Sequence, residues 1–341
     1  MRPLLGLVLI ALLAAPAKAD DAEQVQIWLD RMARAVETLN YRGTLVHVRD
    51  GQIDTLRIIH RADEEGVRER IFSLDGEQRE ILRNGSKVRC LLPDDAGSIV
   101  ESELTSRMLP LLPARRFNHS QQGYRFQLGS TERVADHDTQ VVEILPNDGF
   151  RYGHRFWLET QTGMLMRAVL MDQYGEVLQQ LSFADVELGV PISDAELAPT
   201  MVTSRSLSAT LDAQALGDDI RSEQQRPSMP RQSWFPRRLP AGFRLVAVEQ
   251  GVDDKGAPLH HLLYSDGLAS FSVYLEERDG AEQGDSRIEA FGPVHVYTGP
   301  ADDHTITVVG EVPLQTVKLV GQDVRRELAR ARADTEQAAR Q

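Results

Sequence analysis

The feature that most restricts the fold of this chain is a change of hydrophobic period at Tyr41-Arg42-Gly43. Before it, between residues 20 and 40, Val25, Trp28, Leu29, Met32, Val36 and Leu39 recur at helical spacing. Acids stand at the start of that stretch, where the helix dipole favours them. After it the period is two. Residues 44–49, 53–60, 67–74, 78–82 and 87–92 read as strands separated by Asp50-Gly51, Glu65-Gly66, Asp75-Gly76 and Asn84-Gly85. Asp-Gly and Asn-Gly pairs supply the positive φ angles that two-residue hairpins require, so one amphipathic helix followed by a five-stranded antiparallel meander is predicted.

Residues 93–120 interrupt the pattern. Leu104, Met108, Leu109, Leu111 and Leu112 are closely set, but Pro110 and Pro113 break a long helix, which leaves a short helix over 101–112 and a loop. The meander resumes at 124–128, 132–135, 140–145, 155–159, 165–172 and 177–186, bringing the count to about 11 strands. A sheet of that size must twist and curl, and the N-terminal helix with the 101–112 segment is available to fill its concave face.

Aromatic residues then vanish between 201 and 232, where Ser, Gln, Asp, Pro and Arg dominate. This composition predicts an interdomain linker. From Trp234 a second unit offers strands at 244–249, 260–264, 270–276, 294–297 and 305–310, with 277–287 as a polar loop. Pro313 opens a last helix striped by Leu314, Val317, Val320, Val324 and Leu328. The expected fold class is α+β: a large antiparallel half-barrel sheet over 20–200 with helices in its concavity, a linker over 201–232 and a smaller α+β domain over 233–330. A frayed tail follows over 331–341.

Arg2, an apolar stretch over 4–15 and Ala17-Lys18-Ala19 have the order of a secretory signal peptide over 1–19. That apolar stretch is about 12 residues against the roughly 20 that a bilayer span needs. With no cysteine at the cleavage point, the exported chain is expected to be soluble. The 341 residues carry 51 acidic and 38 basic side chains, a formal charge of −13, and losing Arg2 and Lys18 makes the remainder more acidic still. Such a surface repels phosphate, which argues against nucleic acid as a partner. A single cysteine, Cys90, excludes an internal disulfide and a thiolate zinc cluster.

Catalytic chemistry finds little support. The chain has no H-E-x-x-H, no G-x-S-x-G and no phosphate-binding G-x-x-x-x-G-K-[ST]. His260 and His261 are neighbours in a strand pattern and point to opposite faces, so they do not readily share a metal. Neither a metal site, a catalytic residue nor a cofactor is expected. Trp28, Phe156, Trp157, Met164 and Met166 are candidates to line the concave face for an apolar ligand, since methionine suits irregular apolar shapes; ordinary core packing under the helix is the competing reading.

Several segments together carry a resemblance. They are Tyr41-Arg42-Gly43-Thr44-Leu45-Val46, Leu56-Arg57-Ile58-Ile59-His60, Leu239-Pro240-Ala241-Gly242-Phe243, Tyr264-Ser265-Asp266-Gly267-Leu268-Ala269-Ser270-Phe271-Ser272-Val273 and Thr307-Val308-Val309-Gly310-Glu311-Val312-Pro313. In this order they resemble the RseB/MucB family of periplasmic regulators of the sigma-E (AlgU-type) envelope stress response. The resemblance implies a periplasmic negative regulator without catalytic activity. It would bind the periplasmic region of a membrane-spanning anti-sigma factor (RseA or MucA) and shield it from the site-1 protease, until a lipid, lipopolysaccharide or lipoprotein acyl chain releases it. It also implies a first domain similar to the lipoprotein carriers LolA and LppX. Tyr264, Asp266, Leu268, Phe271 and Glu311 are the expected partner-binding residues, with Leu268 and Phe271 equally readable as hairpin core. The competing function is a periplasmic lipid or lipoprotein carrier of the LolA/LppX type, and self-association into a homo-oligomer stays open.

Overall fold

The computed structural model describes residues 21–93, 123–201, 206–210, 234–252, 256, 258–277, 285–301 and 303–339. The signal peptide read at 1–19, the helix expected over 101–112 and most of the expected linker lie outside them.

Helix α1 (Asp21–Thr38) buries Val25, Leu29 and Met32 of the expected stripe together with Ala35, while Trp28, Val36 and Leu39 are half-buried. Eleven strands follow: β1 (Tyr41–Arg49), β2 (Gln52–Asp63), β3 (Gly66–Ser73), β4 (Glu80–Asn84), β5 (Lys87–Leu91), β6 (Tyr124–Val134), β7 (His137–Pro146), β8 (Gly153–Glu159), β9 (Leu165–Met171), β10 (Val177–Leu188) and β11 (Ser206–Thr210). They form one antiparallel sheet in the order β11-β5-β4-β3-β2-β1-β10-β9-β8-β7-β6. Two meanders, β1–β5 and β6–β10, are thus joined where β1 pairs with β10. The β1–β2 hairpin turns at Asp50 and Gly51, both with positive φ, as their sequence demands.

The count of eleven matches the expectation, but two of its members differ. The stretches expected as separate strands at 124–128 and 132–135 are one strand, β6, with a register shift between Leu128 and Thr131. Gly129 sits in that irregularity because a Cβ there would meet the Val141 side chain at 2.9 Å. The eleventh strand is β11, which pairs with β5 from within the segment expected as linker.

Val142, Ile144, Phe156 and Leu158 cluster with Val25, Leu29 and Met32 of α1. A second cluster joins Tyr41, Leu45, Leu56, Ile58 and Ile71 to Trp157, Met164, Met166 and Val169. On the face of β1–β3 opposite Tyr41 and His60, arginines strap down residues 192–201, which include the short helix α2 (Asp194–Leu197). Arg42 reaches Glu196 at 2.8 Å and Arg61 reaches Asp194 at 2.7 Å. Arg70 donates to the Glu196 carbonyl at 3.0 Å and the Thr200 hydroxyl at 2.7 Å, and is itself paired with the buried Glu80. Glu80 also accepts the backbone N–H of Met201 at 2.9 Å, so a buried carboxylate pins the chain as it leaves the sheet.

The second unit has six strands: β12 (Arg244–Val252), β13 (Pro258–Ser265), β14 (Ser270–Glu277), β15 (Arg287–Phe291), β16 (Val294–Ala301) and β17 (His304–Gly310). Their order is β12-β13-β14-β17-β16-β15. Helix α3 (Leu314–Ala339) lies along β16 and β17 and fully buries Val317, Val320 and Val324. It runs past residue 330, where fraying was expected. The entry of the chain is pinned as its exit was, since Asp323 accepts the N–H groups of Arg237 and Arg238, each at 2.7 Å. Burial opposes a charged Asp323, but these donors and the Arg326 guanidinium prevail and hold its carboxyl below the usual range.

Candidate functional site at the junction of the two sheets

Among the described residues, the connection between β7 and β8 builds a heavily hydrogen-bonded point of contact between the units. Asp148 accepts the N–H of Phe150 at 2.9 Å, a tight Asx turn, and the same carboxylate holds Arg151 through two bonds of 3.1 Å. Arg151 is 0% exposed. Its guanidinium crosses into the second unit, where it pairs with Asp266 at 2.5 Å and donates to the Ala241 carbonyl at 2.5 Å. The rings of Tyr124 and Phe243, one from each unit, flank it at 5.2 and 5.1 Å. Gly123 is required beside it, because a Cβ there would fall on the guanidinium.

Asp266 is shaped for this role by the β13–β14 turn. Its other oxygen accepts the N–H groups of Leu268 and Ala269 at 2.9 and 2.8 Å. Burial raises the Asp266 carboxyl, and outweighs the lowering by those donors and by Arg151. Burial and the adjacent Asp266 charge also raise the Tyr124 hydroxyl well above its ordinary value. Around the ion pair, the Thr316 hydroxyl donates to the Phe150 carbonyl at 2.7 Å and the Gln315 amide donates to the Gly149 carbonyl. The Tyr152 hydroxyl lies 3.3 Å from His295 Nδ1, which also contacts the Val312 carbonyl at 2.9 Å. One buried cation, two carboxylates and a ring of backbone acceptors therefore clasp the two sheets together.

The expected partner residues fall at this junction in unequal ways. Tyr264 and Phe271 are buried and stacked at 5.3 Å inside the second core, so they support the turn and present no open surface. Asp266 is consumed by Arg151. Leu268 packs against the α1 cluster of the first unit, which makes it an interdomain contact. Glu311 is exposed.

The five residues expected to line one apolar face are divided between two. Phe156 and Trp157 are successive strand residues and point to opposite sides. Phe156 packs with the α1 cluster, on whose margin Trp28 is half-buried under Arg31 at 4.2 Å. Trp157, Met164 and Met166 belong to the other cluster, and the Trp157 indole N–H donates to Glu132 at 2.8 Å. Arg151 went unmarked in the sequence. The available signal was Asp148-Gly149 followed by Phe150-Arg151-Tyr152, a turn pair leading into a basic residue between aromatics.

One arrangement on β12–β14 has the outline of acyl-transfer chemistry. His261 lies 2.9 Å from the Ser272 hydroxyl and 3.1 Å from Glu249, with Tyr274 stacked on its ring at 4.5 Å. β14 is paired on both sides, by β13 and β17, so the strand amides around Ser272 are taken up in ladders and supply no oxyanion hole. These groups make a hydrogen-bonded patch on a sheet face. Among the described residues no three His, Cys, Asp or Glu side chains converge as a metal site would require.

Comparison with known proteins accounts for both units. Residues 24–201 match the MucB/RseB N-terminal domain and residues 228–325 match the MucB/RseB C-terminal domain. The sigma factor AlgU regulatory protein MucB of Pseudomonas aeruginosa is 32% identical over 333 residues, covering 95% of this chain and 97% of that protein. The sigma-E factor regulatory protein RseB of Escherichia coli is 26% identical over 301 residues, covering 87% of this chain and 89% of its own length. Among solved structures, the P. aeruginosa MucA/MucB complex matches with a TM-score of 0.67 at 27% identity, over 87% of this chain and 97% of the matched one. MucB solved alone matches with a TM-score of 0.58 at 28% identity, over 89% and 98%. Because the two family models together span both sheets and the 32% identity runs over 95% of the chain, the chain belongs to the MucB/RseB family.

Proposed function

We propose that this protein is a periplasmic regulator that binds the periplasmic region of a MucA- or RseA-type anti-sigma factor and shields it from site-1 proteolysis, keeping the sigma factor inactive. The observation that carries this reading is the correspondence over both units with MucB, which has been solved in complex with the periplasmic region of MucA.

Release by a lipid or lipoprotein acyl chain follows as a linkage. A ligand that favours the free form over the complex must weaken the complex by the same coupling free energy, typically about 1–3 kcal/mol. Trp28, at the margin of the α1 cluster, is where such a chain would enter, and Leu268 ties that cluster to the second unit. Purified mature protein is expected to slow cleavage of the anti-sigma periplasmic region by the site-1 protease. Unchanged cleavage at saturating protein would sink the reading.

A further inference from the structure

We propose that the cavity between α2 and strands β3–β5 is a binding site for a small, doubly charged oxyanion carried on a short apolar body. The proposal does not rest on the regulatory reading above. The cavity holds about 540 Å³, the size of a small-molecule site, and lies on the face of the large sheet that carries the strap. Arg42, Arg61, Arg68 and Arg70 on that face are each matched by a carboxylate. Lys87 and Arg89 are different. Both line the cavity from β5, both are exposed, and neither meets a carboxylate among the described residues, in a chain whose formal charge is −13. The Arg68 Nε–H on the same face is buried and has no partner, a donor that a bound acceptor would satisfy.

The register sets the geometry of the site. Arg68 stands across from Asn84, Asn84 across from Lys87 and Leu82 across from Arg89, so these five side chains share one face. Asn84 and Leu82 therefore lie between Arg68 and the two unmatched cations, which stand two strand spacings, roughly 10 Å, from β3. An ammonium and a guanidinium only donate, so the group that completes them accepts several hydrogen bonds and brings negative charge. Two cations without carboxylates call for a dianion, which a phosphate monoester supplies near neutral pH and a single carboxylate does not. Leu82 and Leu197, both half-buried, offer the apolar body its surface. Asp194 of the strap lines the same cavity and is held below the usual carboxylate range by Arg61 and Arg68, so it repels the incoming anion and competes with it for Arg68. By linkage, occupancy loosens the hold of Asp194 on the strap.

Isothermal titration of the full mature protein at constant ionic strength, with inorganic phosphate, hexyl phosphate and hexanoate as probes, tests this. Hexyl phosphate is expected to bind saturably and roughly tenfold more tightly than either of the others, which lack the tail or the second charge. The double variant Lys87→Gln/Arg89→Gln is expected to weaken that binding by roughly tenfold or more, with its melting temperature unchanged. Asp194→Asn, which removes the competing carboxylate, is expected to tighten it, and amide exchange over residues 192–201 is expected to quicken when hexyl phosphate is added to the unaltered protein. Absence of saturable binding by any probe would overturn the site. Binding that the double variant leaves intact would do the same, and equal affinity for inorganic and hexyl phosphate would assign the cavity to the free ion and overturn the apolar body.

Discussion

Both units bury charge, but the first pairs it within its sheet, whereas the second keeps Asp266, Asp323 and Glu327 at the margins of an aliphatic interior. His60, Glu69, Arg70 and Glu80 are all under 9% exposed within the large sheet, whereas Leu262, Val273, Ile306, Val308, Val312, Val317, Val320 and Val324 fill the small one at 0%. Both sheets are pairs of antiparallel meanders, so wiring does not explain the difference. Size does in part. An eleven-stranded sheet with the 18-residue α1 and the four-residue α2 on it leaves strand positions that only paired polar groups can occupy, while six strands under the 26-residue α3 close over an apolar interior. The lesson is a difference in where charge is held: the large unit carries a cross-strand Glu69–His60 pair of shifted groups inside its sheet, and the small unit closes its sheet over an aliphatic core.

The largest expected effect breaks the link between the two. Arg151→Met leaves the buried Asp266 and the half-buried Asp148 without their cation, a change that typically costs about 3–5 kcal/mol for the buried partner. Calorimetry is expected to show one transition splitting into two, and adding Asp266→Asn should restore part of the loss. A single unshifted transition would mean that the clasp does not couple the units.

Cavity variants compare the cores directly. Ile306→Ala in the second unit and Ile71→Ala in the first remove side chains that are 0% and 1% exposed, each worth about 3 kcal/mol. In an Arg151→Met background each is expected to lower only the transition of its own unit. If both lower the same one, the division between the sheets is wrong.

The pH response should belong to the first unit. Burial raises the Glu69 carboxyl to about 7, only partly offset by Arg83, and burial lowers His60 to about 4. The folded state thus holds a proton on Glu69 that the unfolded chain has released, so this contribution is full below about pH 4.5 and fades as pH rises through 7. His60 acts in the opposite sense, costing stability as pH falls from about 6.5 through 4. They are cross-strand neighbours on β2 and β3, and their effects oppose each other over the shared window. Glu69→Gln is expected to add about 2 kcal/mol at pH 8 and to expose the acid loss from His60, both visible in melts followed by circular dichroism between pH 4.5 and 8.

The smallest effect concerns the strap. Arg42 is part-exposed where it pairs with Glu187 and Glu196, so solvent screens the pairs and Arg42→Ala should leave global stability nearly unchanged. Faster proteolysis at residues 192–201 without a change in global melting is the expected result.

Much of this was legible because turn chemistry is local. Asp50-Gly51 announces its hairpin, Pro313 announces α3, and period-two apolar patterns announce strands buried on one face. β15 was missed because Ile288 and Phe291 are exposed along with their polar neighbours, so no burial pattern marks the strand. The apolar face expected from Phe156, Trp157, Met164 and Met166 failed for the opposite reason, since all four are buried but alternation sends Phe156 to one side and Trp157 to the other.

By itself, the sequence determined a helix leading into two antiparallel meander systems and the Ser265-Asp266-Gly267 turn as a marked feature, because helix period, strand alternation and turn φ angles depend on near neighbours. Tertiary structure alone decided the rest. The turn between β6 and β7 falls at Ala135-Asp136, both with positive φ and neither a glycine, while Gly129 lies in the strand's irregularity because Val141 packs against it. Asp266 became the receptor of Arg151, 115 residues away, since a buried charge takes its meaning from the partner that folding brings to it.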